Sequence, residues 1–242
     1  MRLDKYLSDM GVGTRSESKK FIKAGRITVN GAITTDAAMH VSKEDDVCFD
    51  ESPISYEEHI YYLMNKPQGV ITATKDNSKK TILDLIKPED RRKELFPVGR
   101  LDKDTEGLLL ITNNGALAHH LLSPKHHVEK TYYAEVSGIV TKEDIDVFAS
   151  GMEIDRGDIC LPAKLKVLST TSNSNNGTEI SQVEITISEG KYHQIKRMCL
   201  CRGHEVLFLK RLSMGPLKLD KSLDPGLYRP LTSSEILDLL NC

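Results

Sequence analysis

Residues 96–115 read Phe-Pro-Val-Gly-Arg-Leu-Asp-Lys-Asp-Thr-Glu-Gly-Leu-Leu-Leu-Ile-Thr-Asn-Asn-Gly and place Arg100, Asp102, Lys103, Asp104 and Glu106 within seven positions. An ionised carboxylate of this kind can act as a nucleophile or a general base, and a neighbouring cation can hold it charged. Pro97 and Gly99 mark a loop, Leu108 to Thr112 is an apolar run of strand length, and Asn113-Asn114-Gly115 supplies the turn that ends it. The charged residues therefore sit on a loop entering a core strand, where a rigid scaffold fixes groups that backbone polarity keeps at the surface. By residue type alone a solvated turn is the commoner reading of such a loop. A hydrolase using Asp102, Asp104 and Glu106 would need metal ligands or a second acid at a defined separation, and the sequence offers neither.

Composition narrows the classes. With 242 residues the chain has room for one large domain or a large and a small one, and 28% charged against 39% hydrophobic residues indicates a folded, soluble chain. No run approaches the apolar length of a membrane span, and Met1-Arg2-Leu3-Asp4-Lys5 lacks a signal core, so a cytoplasmic protein with no membrane partner is expected. Cys48, Cys160, Cys199, Cys201 and Cys242 are an odd, scattered set, read as reduced thiols. Cys199, Cys201 and His204 lack zinc-finger spacing, and no metal is expected. The pairs His119-His120 and His126-His127 read as a helix end and a loop.

A net charge of −2 gives no global attraction to nucleic acid, but the charge is unevenly placed. Residues 1–30 hold seven cations, Arg2, Lys5, Arg15, Lys19, Lys20, Lys23 and Arg26, against three carboxylates, whereas residues 31–60 hold eight carboxylates against Lys43. Leu3, Leu7 and Met10 recur at helical spacing and stop at Gly11 and Gly13. Thr14 and Glu17 form a capping box for a second helix closed at Gly25, and Asn30-Gly31 joins two short strands as a hairpin. Residues 51–58, acidic and broken by Pro53, read as a linker.

Beyond it, a strand at 60–64 turns at Asn65-Lys66-Pro67-Gln68-Gly69. A helix from Thr81 to Ile86 leads through the basic Arg91-Arg92-Lys93 to the charged loop. Residues 116–122 read as a helix, 130–136 as a strand and 141–148 as a helix capped by Thr141 and closed at Gly151. Residues 169–178, all Ser, Thr, Asn and Gly, read as a flexible loop. Alternation at 183–187 gives a strand, followed by Glu189-Gly190-Lys191-Tyr192-His193-Gln194-Ile195-Lys196-Arg197-Met198 as a glycine turn and basic helix start. A strand at 206–209 and a capping box from Thr232 to Glu235 complete the chain, with no internal repeat.

Gly99-Arg100-Leu101-Asp102 with Asp104-Thr105-Glu106-Gly107-Leu108-Leu109 resembles the signature of the pseudouridine synthases. Asn-Lys-Pro-x-Gly at 65–69, Lys-x-Tyr at 130–132 and the run 189–198 match further family motifs in the family's order. Arg-Leu-Asp-Lys-Tyr-Leu at 2–7, Thr-Arg-Ser-Glu-Ser at 14–18 and Gly-Arg-Ile-Thr-Val-Asn-Gly at 25–31 resemble an S4 RNA-binding domain. The resemblance implies an α+β fold: an S4 domain at 1–50, a linker at 51–58, and a catalytic domain at 59–242 with a mixed, mostly antiparallel sheet. It implies isomerisation of a uridine to pseudouridine without a cofactor, with Asp102 as nucleophile, Lys196 as its ion-pair partner and Tyr132 stacked on a flipped uracil. Arg100, Lys66 and Gln194 are expected at the substrate, and Arg2, Arg15, Lys19, Lys20, Lys23 and Arg26 at RNA phosphates. An S4 domain ahead of this motif points to the ribosomal branch: a monomer acting on 16S rRNA or a small-subunit assembly intermediate. A 23S rRNA enzyme and a non-catalytic RNA-binding assembly factor are the alternatives.

Overall fold

Local signals near the amino terminus are met by the backbone. In the computed structural model, which describes residues 1–91, 94–155, 157–172 and 179–242, helix α1 (Leu3–Asp9) is followed by α2 (Arg15–Lys23). The Thr14 hydroxyl accepts from the Glu17 amide while the Glu17 carboxylate accepts from the Thr14 amide, so two orphan donors of α2 are satisfied at once. Strands β1 (Ile27–Val29) and β2 (Ala32–Ile33) are joined at Asn30 and Gly31, both at positive φ, the twist a two-residue hairpin needs. With β3 (Val47–Phe49) and β4 (Ser52–Pro53) they form an antiparallel sheet in the order β2-β1-β3-β4. Leu3, Tyr6, Leu7, Ile22, Ile27 and Val47 are its buried core.

The stretch expected as a linker is built into this unit. Ser52 and Pro53 pair with β3, the Ile54 amide donates to the Val47 carbonyl at 2.7 Å, the Tyr6 hydroxyl donates to the Ile54 carbonyl at 2.7 Å, and Tyr56 packs its ring on Tyr6. Acidic composition and a proline suggested a break, but Ile54 and Tyr56 bury apolar surface that outweighs it. One compact unit comprises Met1–Ile60 with Ile86–Leu95, and the other Tyr61–Leu85 with Phe96–Cys242.

The larger unit contains β5 (Tyr61–Lys66), β6 (Phe96–Pro97), β7 (Glu106–Thr112), α3 (Gly115–Leu122), β8 (Lys130–Ser137), α4 (Lys142–Ser150), β9 (Met152–Asp155) and β10 (Asp158–Cys160). It continues through β11 (Lys164–Ser172), β12 (Glu179–Ile187), α5 (Gln194–Cys201), β13 (Val206–Met214), β14 (Leu217–Lys218), β15 (Tyr228–Pro230) and α6 (Ser233–Leu240). The main sheet runs β11-β12-β8-β13-β7-β5-β15, antiparallel throughout that order except for the parallel pair β13 and β7. Leu63, Leu108 and Leu110 of the central strands pack against Leu117 and Leu121 of α3 and Leu239 of α6. The mixed, mostly antiparallel sheet and the α+β class are as expected.

Two expectations are corrected. The helix expected at 81–86 is a single 3₁₀ turn, Ile82–Leu85, started by the Asp84 carboxylate accepting from the Thr81 amide and hydroxyl. Such a short segment cannot repay α-helix nucleation. The Ser/Thr/Asn loop is shorter than expected, because Ser169 to Ser172 extend β11 and pair with Gln182 to Glu179 of β12. Ladder hydrogen bonds satisfy that polar backbone; residues 173–178, like Arg92 and Lys93 of the basic stretch, lie outside the described residues. Among the described residues no helix is long and apolar enough to cross a membrane.

Candidate active site

The loop carrying Asp102 is held from beneath by Lys66. At the end of the wholly buried β5, its side chain is fully enclosed, and Nζ donates to the carbonyls of Pro67 (3.0 Å), Asp102 (3.0 Å) and Thr105 (2.9 Å), with Lys103 at 3.4 Å. Burial lowers the ammonium to about 8, against the opposing influence of Asp102, Asp104 and Glu106. The Thr105 amide closes the turn on the Asp102 carbonyl at 3.1 Å, the Gly69 amide donates to the Lys103 carbonyl at 2.8 Å, and the Thr72 hydroxyl donates to the Leu101 carbonyl at 2.7 Å. Lys66 therefore does not meet substrate as expected. Its donors are spent on backbone carbonyls, and it acts by fixing the loop.

Behind the loop, Gly107 admits the neighbouring strand. A Cβ there would lie 2.3 Å from the Arg211 carbonyl oxygen, and φ is +103°, so a side chain would drive β13 away from β7. That approach aligns Arg211 with Gly107 on one side and with Tyr132 on the other.

The second half of the site comes from the turn before α5. Gln194 is buried; its Oε1 accepts from the Lys191 amide at 3.0 Å and its Nε2 donates to Glu189 Oε1 at 2.9 Å. It thus organises the turn at 189–194, although it also lines the cavity beside Asp102. His193, in the left-handed region at φ +47°, is the N-cap residue of α5 and presents Nε2 to Asp102 Oδ1 at 3.4 Å. Lys196, in the first turn of the same helix, places Nζ 3.5 Å from Asp102 Oδ2. Its shorter contacts, 2.6 and 2.8 Å, are to Asp104, whose carboxyl it holds below the ordinary value. Asp102 consequently lies beside an imidazole, an ammonium and a helix N-terminus without being saturated by them, and 29% of its side chain is exposed.

Arg100, Asp102, Thr105, Tyr132, His193 and Lys196 line a cavity of about 90 Å³. Tyr132 is buried on the inward face of β8. A larger groove of about 710 Å³ shares Arg100, Asp102, Tyr132 and His193 and continues past Lys130, Arg211 and Tyr192. The structure thus brings Asp102, Tyr132, Lys196 and Arg100 to one cavity. Sequence reasoning missed His193, although it stands in the quoted 189–198 run, and Arg211, one of two adjacent cations, with Lys210, in the otherwise mostly apolar strand Val206–Met214. Among the described residues no cluster of His, Cys, Asp and Glu is arranged to hold a metal.

In the smaller unit Arg2, Arg15 and Lys19 converge on the wholly buried Asp4 at 3.2, 3.1 and 3.8 Å. Burial alone would raise that carboxyl, but Arg2 and Arg15 hold it below the ordinary value. Lys20 and Lys23 stand exposed on α2. Arg26 is engaged by Asp50 and lies over the rings of Phe21 and Phe49, so it is the least available of the six expected phosphate contacts.

Comparison with known proteins agrees with this geometry. Residues 60–200 match the RNA pseudouridylate synthase family and residues 1–47 the S4 domain. The chain is 48% identical to an uncharacterized RNA pseudouridine synthase of Bacillus subtilis (strain 168), covering 100% of this chain and 98% of the relative. It is 38% identical to ribosomal small subunit pseudouridine synthase A of Escherichia coli (strain K12), over 99% and 100% of the two chains. It is 37% identical to ribosomal large subunit pseudouridine synthase B of Bacillus subtilis (strain 168), over 97% and 93%. A crystal structure of a pseudouridylate synthase superimposes with a TM-score of 0.67 at 36% identity, covering 99% of each chain. A family match across the Asp102 loop, Tyr132 and Lys196, with end-to-end relatives well above 30% identity, places the chain in the RNA pseudouridylate synthase family, as an isomerase of RNA that carries an S4 domain.

Proposed function

We propose that the chain converts a uridine of 16S rRNA to pseudouridine with Asp102 as nucleophile. The observation that carries the assignment is the state of Asp102: a partly exposed carboxylate at a cavity beside Tyr132, flanked by His193 and Lys196 at 3.4 and 3.5 Å but hydrogen-bonded by neither. The reaction breaks the bond from ribose C1′ to N1 of uracil, turns the base, and joins C1′ to C5; the C5 proton is lost and N1 gains one. It is redox-neutral and needs no outside group, so we assign no cofactor. Attack on the ribose, attack on the base and departure of uracil through a glycal each need an ionised carboxylate at this place.

Tyr132 offers a ring for the flipped uracil, Lys196 sets a positive charge 3.5 Å from Asp102, and Arg100, exposed at the cavity mouth, fills the vacated stack or meets phosphate. Flipping a base costs a few kcal/mol, least where it is unpaired, so the target belongs to a loop or an opened region. In this reading the S4 domain supplies affinity and register through Arg2, Arg15, Lys19, Lys20 and Lys23, and the enzyme works as a cytoplasmic monomer on 16S rRNA or a small-subunit assembly intermediate. Similarity along the whole chain to a small-subunit enzyme supports the 16S assignment. A 23S substrate is the second reading, favoured by nearly equal identity to a large-subunit enzyme.

Carbodiimide mapping of 16S and 23S rRNA treated with wild-type protein and with Asp102→Asn tests both. One new primer-extension stop in 16S rRNA, absent with the variant, is expected. A stop in 23S rRNA would move the substrate and keep the chemistry. Tight binding with no stop on either RNA or on precursor particles would replace the enzyme by an assembly factor.

A further inference from the structure

The groove leading to Asp102 contains two buried cations that the isomerisation described above does not use. Lys130 begins β8, two residues before Tyr132 and on the same inward face, and is 6% exposed. Its ammonium donates to the Val128 carbonyl at 2.7 Å. Arg211, 2% exposed, faces Tyr132 across the β8–β13 ladder; Nε donates to the Leu108 carbonyl at 2.7 Å, and Nη2 is buried with no hydrogen-bond partner. Each repels the other, and burial with that repulsion lowers Lys130 to about 8, against the opposing influence of Cys242. Neither forms a salt bridge with a carboxylate among the described residues, unlike Lys196, Arg202 and Arg229.

Two buried like charges without a counter-ion oppose folding, and an orphaned guanidinium nitrogen opposes it further. Apolar residues at these inward positions would pack into the core at lower cost, so the arrangement makes sense only if an anion completes it. The small cavity beside Asp102 is lined by Tyr132 but not by Lys130 or Arg211, whereas the larger groove is lined by all three. The cations therefore sit along the approach to the base pocket, where the backbone of a flipped nucleotide would run.

We propose that Lys130 and Arg211 form an anion site for the phosphodiester flanking the target uridine, anchoring the flipped nucleotide so that C1′ reaches Asp102. This rests on the uridine-isomerising reading of the same groove. The shared chemistry is a tetrahedral phosphate oxyanion, whether from the RNA backbone or from free phosphate. A fork-shaped guanidinium and a point ammonium on one face suit such a group.

The test uses RNA carrying the mapped uridine, in whichever rRNA it lies, with a single linkage replaced by an uncharged methylphosphonate. Wild-type protein is expected to lose about ten- to a hundredfold in kcat/KM when one flanking linkage is neutral, as for loss of a charge-assisted contact. A neutral linkage several nucleotides away is expected to change little. Lys130→Met is expected to lose a similar factor on natural RNA, to lose almost nothing more on the neutral linkage, and to melt no lower than wild type. Wild-type insensitivity to neutralising either flanking linkage overturns the proposal, as does a Lys130→Met enzyme that keeps full sensitivity. Competition by inorganic phosphate without any linkage effect would assign the site to a free anion and overturn the RNA assignment. Conversion of natural RNA by wild-type protein is the control: its absence strikes the uridine-isomerising reading, whereas its presence with insensitivity strikes the phosphate site alone.

Discussion

Two aspartates of the larger unit, Asp102 and Asp144, are each approached by a histidine and a cation, and they differ in how far those partners consume them. Asp144, buried at the start of α4, accepts from the Thr141 amide and hydroxyl at 2.8 Å each, from Arg202 Nε at 2.7 Å and from His204 Nε2 at 3.3 Å. Burial alone would raise its pKa, but these donors hold it far below the ordinary carboxylate value. Asp102 has its histidine and lysine at 3.4 and 3.5 Å, beyond normal charge-assisted bonding distance, and solvent reaches it. A buried carboxylate with both oxygens engaged by donors ties elements together. One that is surrounded but unsaturated keeps lone pairs for a substrate. His204 and Arg202 lock the corner between α4 and the end of α5, whereas His193 and Lys196, at the start of α5, border an open cavity.

The sharpest way to break this contrast is to neutralise each aspartate. Asp102→Asn should lower single-turnover isomerisation by ~10⁴-fold or more while folding and RNA affinity stay near wild type. Substantial remaining activity would remove Asp102 from the nucleophile's role. Asp144→Asn should instead cost about 3 kcal/mol of stability, as expected when one partner of a buried charge network is removed, with the folded enzyme still active. Because the folded pKa of Asp144 is depressed, its contribution is present above the unfolded carboxylate value of about 4 and is lost as pH falls toward the folded one. The gap between wild type and Asp144→Asn in thermal melts should therefore close on going from pH 5 to pH 2; a gap independent of pH would contradict the network.

Smaller effects sharpen the picture. Lys196→Met should lower kcat by about 10²-fold, as for loss of a preorganised charge beside a reacting group, with Lys196→Arg restoring most of it. Equal loss in both variants would mean that the ammonium serves Asp104 alone. The smallest change is expected in the other unit, where Lys20→Glu with Lys23→Glu should weaken RNA binding several-fold at low salt and flatten its salt dependence. Charge reversal is the cleaner test there, since a truncation after residue 50 would remove Ile54 and Tyr56 from the small core. Unchanged salt dependence would reduce the basic face of α2 to solvation.

Much of the molecule was legible in the residues themselves because the forces are local. The caps at Thr14, Thr141 and Thr232 bond to a group only three residues further on, and all three open helices. Asn30-Gly31 encodes its own left-handed turn, and the apolar run before Asn113 could be little other than a buried strand. The family motifs singled out Asp102, Tyr132 and Lys196 as candidates, and the three line one cavity. Ser169 to Ser172 were misread because polar residues form a strand when a partner strand is present, and that partner is decided by pairing rather than by composition.

Tertiary structure alone decided what each charged group does. Lys66 reads as a substrate contact in sequence and becomes the pin beneath the Asp102 loop, because burial leaves its donors only the carbonyls of residues 36 to 39 positions away to satisfy, besides that of Pro67. Arg211 lies 79 positions from Tyr132 in the chain, yet the antiparallel register of β8 with β13 sets the two side chains opposite each other. The sequence by itself determined which chemistry the chain is equipped for and where its helices and hairpins begin. Which cation meets which carboxylate, and which is left facing the groove without one, depends on long-range strand register and on the free energy of burying charge, and no window of sequence carries either.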